Sequence, residues 1–356
     1  MAGWTNKAPG RERPPVFIDV RNFGFSERAS SAVNRQAIIL AINELPLNTG
    51  NAFLSPASGA NGGRVILPRG EFGIGTGIIP LKRGVRIEGE SSEATRLYCE
   101  SLTGVFQYED DGGYLPDPII FESLGIWQSG TPTEGAAIDM ATGAAAAHAI
   151  SFGCRDLIIN GTYKGIVLGG GIICELDRTM LSHCESHGVE VPVDGTHGQT
   201  TSTHFCAVYS SNCGGDGFRI NSAAYCKFSA CASDSNDGYG YNITNVANLE
   251  LHGGAEANAS GGALLTGCAA AKARLTIVDA AAGTAHGVTL DGCTRAEIAG
   301  VFSSGAGATG YAVAMTGTSS SADLTGVVAS SGAWVTNVCN SQVGVFRNAG
   351  TLGRIL

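Results

Sequence analysis

The chain is short of charge. Asp, Glu, Lys and Arg make up 15% of its 356 residues, against about 25% in an ordinary soluble domain. That excludes long salt-laced surface helices and leaves Ser, Thr, Asn and Gly to supply the polar surface. The net charge is −9 and the basic residues are scattered. There is no basic stripe to track a phosphate backbone, so no nucleic-acid partner is expected. No run of about 20 apolar residues occurs, which argues against a transmembrane helix and membrane insertion. The opening Met1-Ala2-Gly3-Trp4-Thr5-Asn6-Lys7 lacks the apolar core of a signal peptide. The 11 cysteines include no CxxC pair. His183, Cys184 and His187 come nearest to a zinc cluster but have no second ligand pair, so no metal or other cofactor is expected. Reduced thiols in a cytosol are the simplest expectation.

Glycine, in contrast, is abundant: 52 residues, about double the usual share. Its placement is periodic. A Gly-apolar-x-apolar segment begins at Gly165, Gly188, Gly217, Gly240, Gly262, Gly287, Gly310 and Gly332, in steps of 23, 29, 23, 22, 25, 23 and 22 residues. The long step holds an insertion, Pro192 to Thr203. Short alternating strands precede the later marks: Leu249-Glu-Leu251, Leu275-Thr-Ile277, Ala296-Glu-Ile298 and Ala322-Asp-Leu324. A helix-free unit of about 22–23 residues that cannot bury its own apolar face is one coil of a parallel β-helix. The Leu-x-x-Leu-x-Leu pattern of leucine-rich repeats is missing, and a propeller blade needs about 40 residues.

Two columns fit that stacking. Asn212, Asn236 and Asn258 sit four or five residues before their glycines, placed to bond amide to carbonyl up the axis. Cys268 and Cys293 follow their apolar strands at one offset, as small buried side chains. A disulfide between them is within reach, but the expected compartment argues against it.

The front of the chain differs. Val16 to Val20 reads as a strand. Ser31 is a plausible N-cap, followed by one helical stripe of Val33, Ala37, Ile38, Ala41, Ile42 and Leu45, with Pro46 as the stop. Such a helix would cover the open end of a β-helix. The combination Asp19-Val-Arg-Asn-Phe-Gly24, this helix, Gly63-x-Val-Ile-Leu-Pro68-x-Gly70 and Val85-x-Ile-x-Gly89 resembles the opening module of the pectate-lyase superfamily. That module begins many right-handed β-helix proteins, including polygalacturonase-like enzymes and phage tailspikes. The acidic Gly-Asp-Gly-x-x-Asp-Asp-Thr stretch common in it is replaced here by Ser26 to Asn34. The resemblance implies an all-β, single-stranded right-handed parallel β-helix with a short N-terminal capping helix. The expected division is 1–15 an N-terminal arm, 16–61 capping strand and helix, 62–346 the β-helix, and 347–356 a C-terminal tail.

Glycan-cleaving β-helices use carboxylates from neighbouring coils, and separations of about 5–5.5 Å or 6.5–9.5 Å decide between retention and inversion. The candidate catalytic acids gather between 180 and 260. Asp216 lies one residue before its glycine, Asp237 and Glu185 three before theirs, Asp234 and Glu256 six before theirs. Each also suits an ordinary turn, and Asp234 and Glu256 at matched offsets would repel unless paired. Tyr239, His187 and Arg219 share the region as candidate substrate-binding residues. Tyr108 and Tyr114, beside Glu109, Asp110 and Asp111, could line a glycan edge from a loop. Lyase chemistry would need a basic residue, for which Arg219 and Lys227 are available, but hydrolysis is the preferred reading.

Three functions stay open. One is a virion-associated, tailspike-like homotrimer that binds, or binds and hydrolyses, a host-surface polysaccharide. It would be made in the host cytoplasm and attached to other virion or tail proteins through the N-terminal arm. The second is a non-catalytic tail or fibre adhesin or decoration protein. The third is a secreted, extracellular pectate-lyase-like or polygalacturonase-like enzyme.

Overall fold

The computed structural model describes residues 16–45, 63–82, 84–100, 103–108, 118–141, 150–192, 200–280, 284–304, 309–316, 321–331 and 345–347. They form a parallel β-solenoid of about nine turns with one α-helix near the N-terminus. Each turn visits three sheets in fixed order, and every strand pairing is parallel. Sheet 1 runs through Gly63–Ile66, Val85–Glu88 and the first halves of Ile119–Gln128 and Ile150–Asn160. Sheet 2 takes Gly70–Gly75, Thr95–Cys99 and the second halves of the same two strands. Sheet 3 takes Ile79–Leu81, Phe106–Tyr108, Ile138–Asp139 and Ile166–Val167. Further along, Phe218–Asp234 and Tyr239–Glu256 each pass through all three.

The glycine repeat belongs to sheet 3. Gly165, Gly188, Gly217, Gly240, Gly262 and Gly287 fall in one column. Sheet 2 presses close behind them. A Cβ on Gly217 would stand 2.2 Å from Ser233 Oγ and 2.9 Å from the Gly240 carbonyl, and one on Gly262 2.5 Å from Ile277 Cδ1 and 2.6 Å from the Gly287 carbonyl. The echo is therefore steric: at Gly217 and Gly262 no side chain fits where the chain enters sheet 3. At the next turn the register places Ala312, not Gly310, beside Gly287. Gly332 lies outside the described residues.

Corners are made by single residues in the left-handed region. Asp156, Arg178, Ala207 and Ala230 (φ 54, 47, 51 and 55°) turn sheet 1 into sheet 2. His183, Asn212, Ser235 and Ala257 (φ 53, 52, 53 and 49°) end sheet 2. Each such residue costs about 1–2 kcal/mol intrinsically, repaid by the in-register ladders on both sides. Asn212 therefore stands at a corner, exposed, and the asparagine ladder holds Cys213 in its place. Asn236 Oδ1 accepts from Cys213 N–H at 2.9 Å, and Asn236 Nδ2 donates to Asn258 Oδ1 at 2.8 Å.

Core side chains stack along the axis. Phe205, Phe218, Phe228 and Tyr241 make one cluster with ring centroids 4.5–6.0 Å apart, and the Tyr241 hydroxyl donates to Gly254 O at 3.0 Å. The helix Ser31–Glu44 covers the first turn. Its N-cap is Ser30, whose hydroxyl accepts from Val33 N–H, one residue earlier than the sequence expectation. Ala37, Ile38, Ala41 and Ile42 are buried, while Val33 is 45% exposed. Asn34 ties the helix down, donating to Gly73 O at 3.1 Å and accepting from Ser26 N–H at 3.0 Å.

Candidate functional site

Four of the expected residues meet on the outer face of sheet 3. His187, Asp216 and Tyr239 lie one above another just before the strands, and Glu190, Arg219 and Asn242 one above another within them. Contacts run diagonally between the two columns. Lys164 Nζ reaches Glu190 Oε2 at 2.5 Å, Arg219 Nη1 reaches His187 Nε2 at 2.8 Å, and Asn242 Nδ2 donates to Asp216 Oδ2 at 2.9 Å. Asp216 Oδ1 accepts from Tyr239 N–H at 2.8 Å, and Asp216 N–H donates to His187 Nδ1 at 2.9 Å. His187 is 8% exposed and Asp216 6%. Both carboxylate oxygens of Asp216 are thus spent holding the next turn, which makes it a structural anchor.

Burial holds the His187 imidazole neutral, its pKa lowered from the usual 6.5. Asp216 and Glu190 oppose that shift, while Arg219 and Lys164 add to it. Burial lowers His286 as well. The unfolded chain therefore binds more protons than the folded one once pH falls below about 6.5. Above that pH these groups contribute no dependence. Below it, stability is expected to fall until the folded-state pKa values are passed. Thermal melts between pH 7.5 and 5 check this: His187→Gln should flatten part of the slope, leaving the share due to His286.

The other expected acids are elsewhere. Asp234 and Glu256 stack in register on sheet 2. Asp234 is held by the Tyr209 and Ser235 hydroxyls, each at 2.8 Å. Burial, followed by the bond to Asp234, raises the Tyr209 pKa. Asp237 and Glu185 are exposed in the turn between sheets 2 and 3, joined to neighbouring turns by backbone bonds to Cys213 O and Thr162 O. Tyr108 is 2% exposed, its ring inside the solenoid. Tyr114, with Glu109, Asp110 and Asp111, lies outside the described residues.

Sheet 1 carries the concave surface. Two cavities, about 560 and 250 Å³, open on it. They share one outward column, in which Arg86, Ile120, Gly153, Glu175, His204, Lys227, Glu250 and Lys272 follow turn by turn. From Glu175 to Lys272 is four turns, about 19 Å at about 4.8 Å per turn. Tyr225, 58% exposed, lines the larger cavity beside Lys227. Gly153 leaves the floor of the smaller one open between Glu122, Arg155, Glu175 and Asp177. The described chain leaves sheet 3 after Tyr108, Ala141 and Pro192 and re-enters at Pro118, Ile150 and Thr200 before sheet 1.

Charges along the groove are paired with one exception. Arg86 pairs with Glu122, Arg155 Nε with Asp177 at 3.3 Å, and Lys227 with Glu250 at 3.3 Å. Asp177 also lies 3.4 Å from Arg178 Nε. Glu175, exposed, has no ion pair among the described residues. Glu175 and Asp177 project from one face of one strand with buried Leu176 between them. Two residues of strand rise set their Cα atoms about 6.6 Å apart, and an inverting pair works with its carboxyl groups about 6.5–9.5 Å apart. The pair lies 13 and 11 residues before Gly188, outside the stretch from 180 to 260 where the candidate acids gather. The signal present in the sequence was the alternation Cys174-Glu-Leu-Asp177, a strand with two acids on its outer face.

No protein-family model matches the chain, and no curated protein matches it in sequence. Solved structures do match in shape. The A-module of mannuronan C-5 epimerase AlgE4 from Azotobacter vinelandii superposes with a TM-score of 0.65 at 14% identity, over 94% of this chain and 100% of that one. The tailspike of Acinetobacter phage vb_AbaP_AS12 gives 0.60 at 11%, over 93% of this chain and 61% of that one. The enzymatically active domain of tailspike protein 2 from bacteriophage CBA120 gives 0.61 at 12%, over 86% and 47%. The chain thus spans about half to two thirds of the tailspike chains it resembles. The likeness shows the fold, a parallel β-helix.

Proposed function

We propose that this chain binds a polysaccharide along the outer groove of sheet 1 and hydrolyses it with inversion at Glu175 and Asp177. The observation that carries this is the shared column. Two cavities line up along the solenoid axis, which suits a linear polymer, and the smaller is lined by Glu175 and Asp177 in unlike surroundings, beside Glu122 paired with Arg86. Asp177 stands beside two guanidinium groups and takes the part of the base that activates water. Glu175, without such partners, is the acid that protonates the leaving oxygen. Tyr225 offers an exposed ring face to a sugar.

The likeness to tailspikes and to an enzyme acting on mannuronan supports a carbohydrate as the ligand. A virion location and attachment through residues 1–15 belong to the same proposal. So does a homotrimer, with copies meeting on sheet 2 where Met180, Val278 and Val301 are 41, 38 and 44% exposed. Among the described residues no helix is long and apolar enough to cross a membrane.

Incubation with capsular, cell-wall and plant polysaccharides, following reducing ends and unsaturated sugars, tests this. Saturated oligosaccharides whose new ends are first released in the inverted anomeric form are expected. Unsaturated products would replace hydrolysis with elimination, and binding without product would leave an adhesin. Absence of binding to every polymer would overturn the proposal.

A further inference from the structure

The polar cluster on sheet 3 contains a mismatch that the groove does not explain. A neutral imidazole has one nitrogen that accepts and one that donates. Both nitrogens of His187 face donors: Asp216 N–H at Nδ1, 2.9 Å away, and the Arg219 guanidinium at Nε2, 2.8 Å away. With Nδ1 accepting from the backbone, Nε2 carries the proton and points it at a cation. Protonating the ring makes the conflict worse, and burial opposes protonation.

Arg219 is equally short of acceptors. Its Nε is buried without a hydrogen-bond partner. The two nearby carboxylates are engaged elsewhere, Glu190 by Lys164 and Asp216 by Asn242 and the Tyr239 backbone. Among the described residues none forms an ion pair with Arg219. A half-buried guanidinium without a counter-charge beside an outward N–H is costly. One oxygen acceptor placed between Nε2–H and the guanidinium would satisfy both donors, and a negative charge on it would answer the cation.

We propose that His187 and Arg219 form an oxyanion-binding site on sheet 3, separate from the groove on sheet 1. Its ligand presents a carboxylate or sulfate group, to which the guanidinium fork offers two parallel N–H donors. The group comes from an acidic sugar or from a free anion. Arg219 turns from the ring toward the ligand, and His187 stays neutral to donate the second bond.

Titration calorimetry at pH 7.5 with sodium glucuronate, sodium sulfate and, as the uncharged control, glucose tests the site. Saturable binding of glucuronate or sulfate is expected, and none of glucose. Glucuronate without sulfate assigns a sugar-borne acid, and sulfate without glucuronate a free anion. Arg219→Gln should weaken binding at least tenfold. Arg219→Lys, which keeps charge but loses the fork, should fall between. Arg274→Gln, an exposed arginine on sheet 1, should bind as the parent does. Circular dichroism of each variant checks that the fold is kept. The bound anion should also raise the His187 pKa in an NMR titration. No saturable heat with either anion, or equal heat in Arg219→Gln, overturns the proposal and leaves a bridging water as the shared acceptor.

Discussion

Phe218→Ala is expected to destabilise the protein by about 3–5 kcal/mol, the usual cost of removing a buried phenyl ring from a packed core. The ring is 0% exposed. It meets Phe205, Phe228 and Tyr241 at centroid distances of 6.0, 5.4 and 5.1 Å. These rings come from two consecutive turns, Phe205 and Phe218 in one and Phe228 and Tyr241 in the next, and from two sheets. A solenoid has only nearest-neighbour contacts, so no distant part of the chain compensates a weak interface. The loss is a large part of the about 5–15 kcal/mol that holds an ordinary domain together. Denaturant unfolding should show a much lower midpoint, with loosening centred on turns 203–243 in hydrogen exchange. A loss below about 1 kcal/mol would mean that these rings do not stack across turns.

Glu175→Gln should lower the rate of polysaccharide cleavage by about 10²–10⁴-fold, the contribution of a positioned general acid. Polymer binding should change little, because the amide keeps the shape and most of the polar contacts. Asp177→Asn should fall as far, through loss of the base. The two variants should differ on substrates with good leaving groups. An activated aryl glycoside needs no protonation, so it should restore turnover to Glu175→Gln but not to Asp177→Asn. Glu256→Gln on sheet 2 should cleave normally. If Glu175→Gln keeps full activity while Asp216→Asn loses it with the fold intact, the chemistry lies on sheet 3 instead.

The repeat was legible because it is enforced sterically. Gly165, Gly188, Gly217, Gly240 and Gly262 each stand where a Cβ would strike a neighbour, so the sequence shows the pitch directly. The repeat stops being legible where the register changes: Ala312 takes the glycine position, and Gly310 stands two residues before it. Asn212 looked like a ladder residue, yet asparagine also tolerates the left-handed corner, and its neighbour Cys213 takes the ladder bond. Corners filled by Ala207, Ala230 and Ala257 carry no local signal, since their conformation is imposed by the ladders around them.

The candidate site was half legible for the same reason. Residues near the glycines could be aligned across turns, and of these His187, Asp216, Arg219 and Tyr239 do meet. Glu175, Asp177 and Tyr225 sit on sheet 1, where Glu175, His204 and Lys227 each lie 13 residues before a marked glycine, but that column mixes an acid, a His and a Lys, so no repeated residue type exposes it. Tyr108 illustrates a further limit. Its place at the start of an acidic loop suggested an exposed ring, but it is the last inward residue of a strand.

The central claim is that sheet 1 is the working surface, and hydroxyl-radical footprinting with and without a bound polysaccharide tests it most directly. Protection is expected at Tyr225 and His204, with Met180 on sheet 2 and Tyr239 on sheet 3 labelled as in the free protein. Protection of Met180 or Tyr239 with Tyr225 left reactive would contradict it.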